Sequence, residues 1–219
     1  MARIVQMLVS TNMQIAAQAL MVADVICLGD ESCVEEFIGA NGVLALKYLM
    51  VSQAHKSLVR SACLILSNIV IGSSEHIQAV LNTDFINTLS NLATKSEDYN
   101  VRREAVWAIA NGCVKGKQFQ KLRIVKEGGL NALISMLSSK EEGLLLVILE
   151  AIDILLDLNA GVGAEIGIVS QFEELGGVES LQALQLHESK SVYDKVVKIL
   201  EKNFVLEEIN DPTEERKLS

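Results

Sequence analysis

Proline is almost missing from this chain. The 219 residues hold one, Pro212, so no proline breaks a helix anywhere before the last few residues. Aromatic side chains are scarce as well, at 4%, with Trp107 the single tryptophan. The apolar half of the composition is therefore carried by Leu, Ile, Val and Ala, which fill helix-on-helix interfaces rather than sandwich cores. These shortages predict an all-α chain, long enough to bury a continuous core. An excess of basic charge is also lacking: 19 Lys and Arg against 28 Asp and Glu leave a net charge of −9. That balance argues against nucleic acid as a partner, because phosphate neutralisation needs gathered Lys and Arg, and it favours basic peptides. There is no C-x-x-C pair. Cys27, Cys33, Cys63 and Cys113 lie inside apolar helical patterns and are expected as buried, reduced thiols in a reducing compartment, holding neither disulfide nor metal. Long apolar runs are absent too. The longest, Leu144 to Leu156, is interrupted by Glu150 and Asp153 and is shorter than the ~20 residues of a spanning helix. No small-residue cleavage site follows Met1 to Val9, so neither a membrane span nor a signal peptide is expected.

What the sequence does contain is a repeat. The segments Met13 to Cys27, Ser57 to Val70, Val101 to Cys113 and Leu144 to Leu156 share a 43-residue register. One column reads Ala19, Ala62, Ala105, Ile148; another Met21, Leu64, Trp107, Glu150; a third Val25, Asn68, Asn111, Ile154. A helical period of ~40–47 residues is the signature of armadillo or HEAT units, whose helices bury an apolar face only by stacking on neighbours. After each segment comes a polar or glycine-bearing break, such as Gly29-Asp30-Glu31 or Gly72-Ser73-Ser74, then a shorter helical pair. Turns at Ala40-Asn41-Gly42, Glu127-Gly128-Gly129 and Leu175-Gly176-Gly177 mark the second helix of a unit, as before Leu130, Leu133, Ile134 and Leu137. Three helices per ~43-residue unit predict an armadillo-type, right-handed superhelical solenoid over residues 1–204. Its first repeat is partial, opening on a second helix at Arg3 to Leu8 as though cut from a longer chain. The last, near residues 170–204, is degenerate, and the charged residues 205–219 are expected to be disordered.

Glu104, Trp107 and Asn111 stand at i, i+3 and i+7 and share one stripe of a helix, with Ala105, Ala108 and Ile109 on the other side. Such a stripe suits an extended basic peptide. The indole offers a wall to a Lys or Arg stem, Asn hydrogen-bonds the peptide main chain, and Glu takes the charge. The competing reading makes Trp107 a core residue and Asn111 a helix-end residue. Asn68, one repeat earlier at the same phase, favours the stripe, since an Asn ladder has no packing advantage in a helix interior.

The segments RREAVWAIANG and RSACLILSNIVIG resemble third helices of importin α repeats, and HIQAVLNTDFINTL, VKEGGLNALISML and QLHESKSVYDKVVKILEKNF resemble other importin α segments in matching order. The resemblance implies armadillo repeats six to ten of that family, a nuclear-import adaptor shuttling between cytoplasm and nucleus. It also implies that Trp107 and Asn111 form the one intact Trp-Asn pair for nuclear localisation signals, with Glu104 as the acidic position, Asn68 as the preceding Asn, and Gly29 matching the turn one repeat back. Leu64 stands where a Trp is usual, Ser61 where an acid is, and Met21 and Val25 replace Arg and Asn. Losing an aromatic wall (~0.5–2 kcal/mol) and a main-chain hydrogen bond (~0.5–1.5 kcal/mol) weakens such a site roughly ten- to several-hundred-fold. The expectation is a reduced minor-type signal site. The family's export receptor, of the CAS type, would engage the C-terminal repeats, as would cargo without a classical signal, whereas importin β would bind only through a basic N-terminal arm outside these residues.

No enzyme chemistry or cofactor is expected. Gly161-Val162-Gly163 with Gly167 has the wrong spacing for a nucleotide loop. His55, His76 and His187 lack ligand spacing and read as surface residues, while Glu141-Glu142 and Glu207-Glu208 read as solvated helix-end charge. No Ser, Cys or Lys has a recognisable base beside it. The alternative function is a general armadillo scaffold that takes a non-transport protein into a groove made apolar by Met21, Val25, Leu64 and Ile154.

Overall fold

The computed structural model describes residues 1–52, 55–158 and 165–204. Among the described residues all regular structure is helical. Helices α1 (Ala2–Leu8) and α2 (Met13–Cys27) are followed by four triplets. These are α3 (Glu31–Gly39), α4 (Gly42–Val51) and α5 (Lys56–Val70); α6 (Ser74–Leu81), α7 (Phe85–Lys95) and α8 (Tyr99–Lys115); α9 (Gln118–Lys126), α10 (Gly129–Ile134) and α11 (Glu142–Asp157); and α12 (Ile168–Glu174), α13 (Gly177–Leu184) and α14 (Lys190–Asn203). Each unit is a short helix, a middle helix and a long third helix, as the period predicts.

The boundaries have local causes. Asn12, Asp30, Ser73, Asp98 and Ser189 each accept backbone N–H bonds at the start of α2, α3, α6, α8 and α14, meeting donors that a helix terminus leaves unpaired. The middle helix of each of the four triplets starts after a residue in the left-handed region: Asn41 (φ 66°), Asp84 (φ 53°), Gly128 (φ 89°) and Gly176 (φ 74°). Three of these turns carry the glycine or asparagine that such a conformation favours; the Asp84 turn has no glycine and is silent in the sequence. The run through Leu137 stays α-helical only to Ile134. Ser135 turns its hydroxyl back onto the Ala132 carbonyl at 2.7 Å, and Met136 and Leu137 close tighter bonds to Leu133 and Ile134.

Consecutive third helices α2, α5, α8, α11 and α14 pack side by side and make the spine of the core. Between α5 and α8 the packing residues include Ala62, Ile65, Leu66 and Ile69 against Ala105, Ala108 and Ile109, all buried. Cys27, Cys63 and Cys113 are buried free thiols; burial, the largest influence, pushes Cys27 and Cys113 up to about 12 and Cys63 higher still. Cys33 departs from the expectation and is only half-buried, because it lies in the first turn of α3 beside its cap, Asp30. His76 departs further. It is not a surface residue but 4% exposed, since its place in the first turn of α6 faces α3 of the preceding unit. The Gly161-Val162-Gly163 loop, the Glu207-Glu208 pair and the expected disordered segment 205–219 lie outside the described residues. No helix among the described residues is long and apolar enough to cross a membrane.

Candidate functional site

The stripe on α8 is assembled by its neighbour α5. Trp107 is half-buried, its ring packed on the core, and Asn111 donates its side-chain N–H to Ser67 Oγ at 3.0 Å. One helix back, Asn68 donates to Asp24 Oδ1 at 3.3 Å. Both bonds run from an Asn to the residue 44 positions earlier, so they are equivalent rungs on one side of the spine. This corrects the expectation that an Asn ladder gains nothing structurally: each amide ties its helix to the helix before it. Neither Oδ1 atom accepts a hydrogen bond among the described residues.

Between α8 and α11 the same register pairs Ala110 with Ile154, which can form no such bond. At the last step the rung becomes ionic. Lys198 reaches Asp153 at 3.2 Å, Lys202 reaches Asp153 at 3.1 Å and Asp157 at 2.5 Å, and Lys195 pairs with Glu150. Burial acts most strongly on the Asp153 carboxyl and raises it, but the hydrogen bonds from Lys202 and Lys198 outweigh burial and leave it below its ordinary value.

Glu104 does not present an open carboxylate. It is 5% exposed, bonded to the Arg103 guanidinium at 2.6 Å and within 4.0 Å of Arg60 on α5. Arg103 extends the chain to Glu141 at 3.5 Å, so Glu141 is a paired, half-exposed residue rather than simply a solvated one. Gly29 lies in the exposed turn between α2 and α3; its N–H goes to the Ile26 carbonyl at 3.1 Å and it shares no hydrogen bond with the stripe.

Beside the Asn68 rung, a groove of about 230 Å³ opens between α2 and α5, lined by Ala17, Leu20, Met21, Asp24, Ser61 and Leu64 among others. Its rim is apolar and open to solvent, with Met21 64% and Leu64 38% exposed; Val25, one turn on from Met21 along α2, is 71% exposed. Asp24 is half-buried in this groove, and its second oxygen has no donor among the described residues. Sequence reasoning passed over Asp24, Asp153 and the three lysines. The signal was present one column before the Asn ladder, where the positions read Asp24, Ser67, Ala110 and Asp153.

Comparison with known proteins follows the same lines. The Armadillo/beta-catenin-like repeat matches residues 73–111 and the Atypical Arm repeat matches residues 168–217. Importin subunit alpha-5 of Arabidopsis thaliana is 30% identical over 159 residues, covering 70% of this chain and 30% of that one. Importin subunit alpha-1a of Oryza sativa subsp. japonica is 30% identical over 211 residues, covering 94% of this chain and 40% of its own. The chain thus spans 30% to 40% of the length of these two relatives. The designed armadillo repeat protein YIII(Dq)4CqI superposes with a TM-score of 0.77 at 23% identity, over 91% of this chain and 80% of that one. A designed armadillo repeat protein in complex with the peptide (KR)4 gives 0.65 at 23% identity, over 91% and 98%. These two likenesses establish the fold.

Proposed function

As this chain is an armadillo-repeat protein homologous to importin α subunits, we propose that it is a nuclear-import adaptor scaffold, holding a short, extended, Lys/Arg-containing cargo segment across α2, α5 and α8. The observation that carries the reading is the pair of equivalent rungs, Asn68 and Asn111, each with an unused acceptor and the second accompanied by Trp107. An extended peptide has main-chain N–H groups to give, and Oδ1 atoms at a fixed repeat spacing meet them without reorganisation. The half-buried indole of Trp107 would supply a wall for an aliphatic stem and a π system for its charge. The free oxygen of Asp24 gives a second cation an end point; Glu104 is more deeply buried, at 5% exposure, and its Oε1 is held by Arg103. A designed armadillo protein of the same fold is solved with a (KR)4 peptide, which supports such an occupant.

The geometry also bounds the segment. Third helices lie ~8–10 Å apart and an extended chain advances ~3.3–3.6 Å per residue, so α2 to α8 accommodates roughly five or six residues. Beyond α8 the groove carboxylates Glu150, Asp153 and Asp157 already hold Lys195, Lys198 and Lys202. The site is a reduced, minor-type one: Leu64 supplies no π face, and Val25 no hydrogen bond. In this reading the last unit serves a CAS-type export receptor or non-classical cargo, and the protein shuttles between cytoplasm and nucleus.

Titration of a fluorescent Lys/Arg-rich peptide into the chain and into Trp107→Ala, at low and moderate salt, tests the site. Binding should weaken with salt, and the substitution should cost about 0.5–2 kcal/mol, roughly two- to thirty-fold. Equal affinity in both proteins would discard it. A second reading rests on the exposed Met21, Val25 and Leu64, which suit an amphipathic helix; salt-indifferent binding of such a helix, in preference to the basic peptide, would establish that reading instead.

A further inference from the structure

The boundary between α3 and α6 carries a cluster for which peptide binding has no use. Glu31 and Glu35, one turn apart on α3, and His76 on α6 each place a ligand atom within 4.8 Å of the other two. Both carboxylates are exposed, and neither joins an ion pair among the described residues. His76 is the opposite: 4% exposed, with neither ring nitrogen in a hydrogen bond. Its ring is seated by a glycine, since a Cβ on Gly72 would stand 2.4 Å from Nδ1.

The next boundary shows what these positions do elsewhere in the same molecule. One repeat on, Glu31, Glu35 and His76 become Ser74, Gln78 and Gln120, at steps of 43, 43 and 44. There the Gln120 amide donates to the Ser74 carbonyl at 2.9 Å and to Gln78 Oε1 at 3.2 Å, while its oxygen accepts the Lys117 N–H at 2.9 Å. Donors and acceptors are matched, and the amide closes the boundary unaided. Between α3 and α6 the two-donor amide has been exchanged for an imidazole, the hydrogen bond back to the cap is absent, and the groups facing the ring are carboxylates. The matched set has become three potential ligands with no donor for each other's lone pairs save a single ring N–H.

We propose that Glu31, Glu35 and His76 form a binding site for a divalent transition-metal ion of the Zn²⁺ type. One imidazole nitrogen with two carboxylate oxygens is a donor set that Zn²⁺ and Co²⁺ accept, the fourth position going to water. Tetrahedral bonds of ~2.0–2.2 Å put ligand atoms roughly 3.4 Å apart. The exposed glutamate side chains are free to rotate that distance inward onto the fixed ring. The ion would join α3 of one unit to α6 of the next, across the same boundary that Asn111 spans to reach Ser67. Metal would thereby stiffen the solenoid where the candidate peptide face is built, although the site stands whether or not that face binds peptide.

The test is titration of Co²⁺, followed by visible absorption and then by Zn²⁺ displacement, into the whole chain and into His76→Gln and Glu35→Gln. Melting midpoints are recorded with and without Zn²⁺. His76→Gln installs the residue the next boundary uses, so folding is retained, and Glu35→Gln alters an exposed side chain. The expected result is one equivalent bound by the unsubstituted chain, a metal-dependent rise in its melting midpoint, and affinity at least ~10-fold weaker in each variant. Unsubstituted affinity in either variant, or no metal-dependent rise in the midpoint, overturns the proposal.

Discussion

At the scale of single residues, the asparagines of the third helices have two duties that the sequence does not separate. Asn111 holds α8 to α5 through its donor and keeps its acceptor open. Two substitutions pull these apart. Ser67→Ala removes the partner of the donor only, and should cost about 0.5–1.5 kcal/mol in urea unfolding while leaving the acceptor in place for a peptide. Asn111→Ala removes both, and should lose stability and peptide affinity together. If Ser67→Ala weakens the peptide as much as Asn111→Ala does, the rung acts only by shaping the helix pair and the acceptor has no part in recognition. The stripe itself was legible because i, i+3 and i+7 spacing fixes a face whatever surrounds it. Glu104 was not, because the arginine that meets it stands next door in the chain, with a second on the adjacent helix. A one-dimensional pattern cannot show whether a charge is free or already taken.

At the scale of elements, α14 is held to α11 by its buried apolar side and, on its exposed side, by charge, and the sign of two shifts sets when the charged part of that hold fails. Hydrogen bonds from Lys202 and Lys198 overcome burial and depress Asp153, so its contribution is present above the ordinary carboxylate range near pH 4 and is lost as pH falls through its lower folded value. Lys202 is raised first by its hydrogen bond to Asp157 and then by that to Asp153. Its contribution is present below the ordinary lysine range near pH 10 and is lost as pH rises through the folded value. Protection of α14 amides should therefore be flat between these limits and fall outside both. Lys198→Ala with Lys202→Ala should lower it within the window and flatten its dependence on pH, whereas unchanged protection would mean that Val196, Ile199 and Leu200 hold the helix alone. Element boundaries were legible where a glycine or asparagine marks them, as at Asn41, Gly128 and Gly176, and were missed at Asp84, an aspartate that tolerates the left-handed region but stands without a neighbouring glycine to announce it.

At the scale of the whole molecule, the period of 43 was readable because a stacked array must present the same apolar face at each step, and any residue that breaks the face breaks two interfaces. What the period conceals is that the steps are not equal. Helices α5 and α8 bury nine residues each, whereas α1 buries two and α12 two. In a quasi-one-dimensional array, stability is a sum of unit and nearest-neighbour terms, so a helix with two packed neighbours and a long buried face opens last. Hydrogen exchange should then be slowest in α5 and α8, intermediate in α11, and fastest in α1, α12 and α13. The face that carries Asn68, Trp107 and Asn111 would be the most rigid part of the molecule, with its acceptors held at fixed spacing before a peptide arrives. Uniform exchange across all units would instead indicate one cooperative block, in which a peptide on α5 and α8 stabilises α1 and α14 as strongly as the helices it touches.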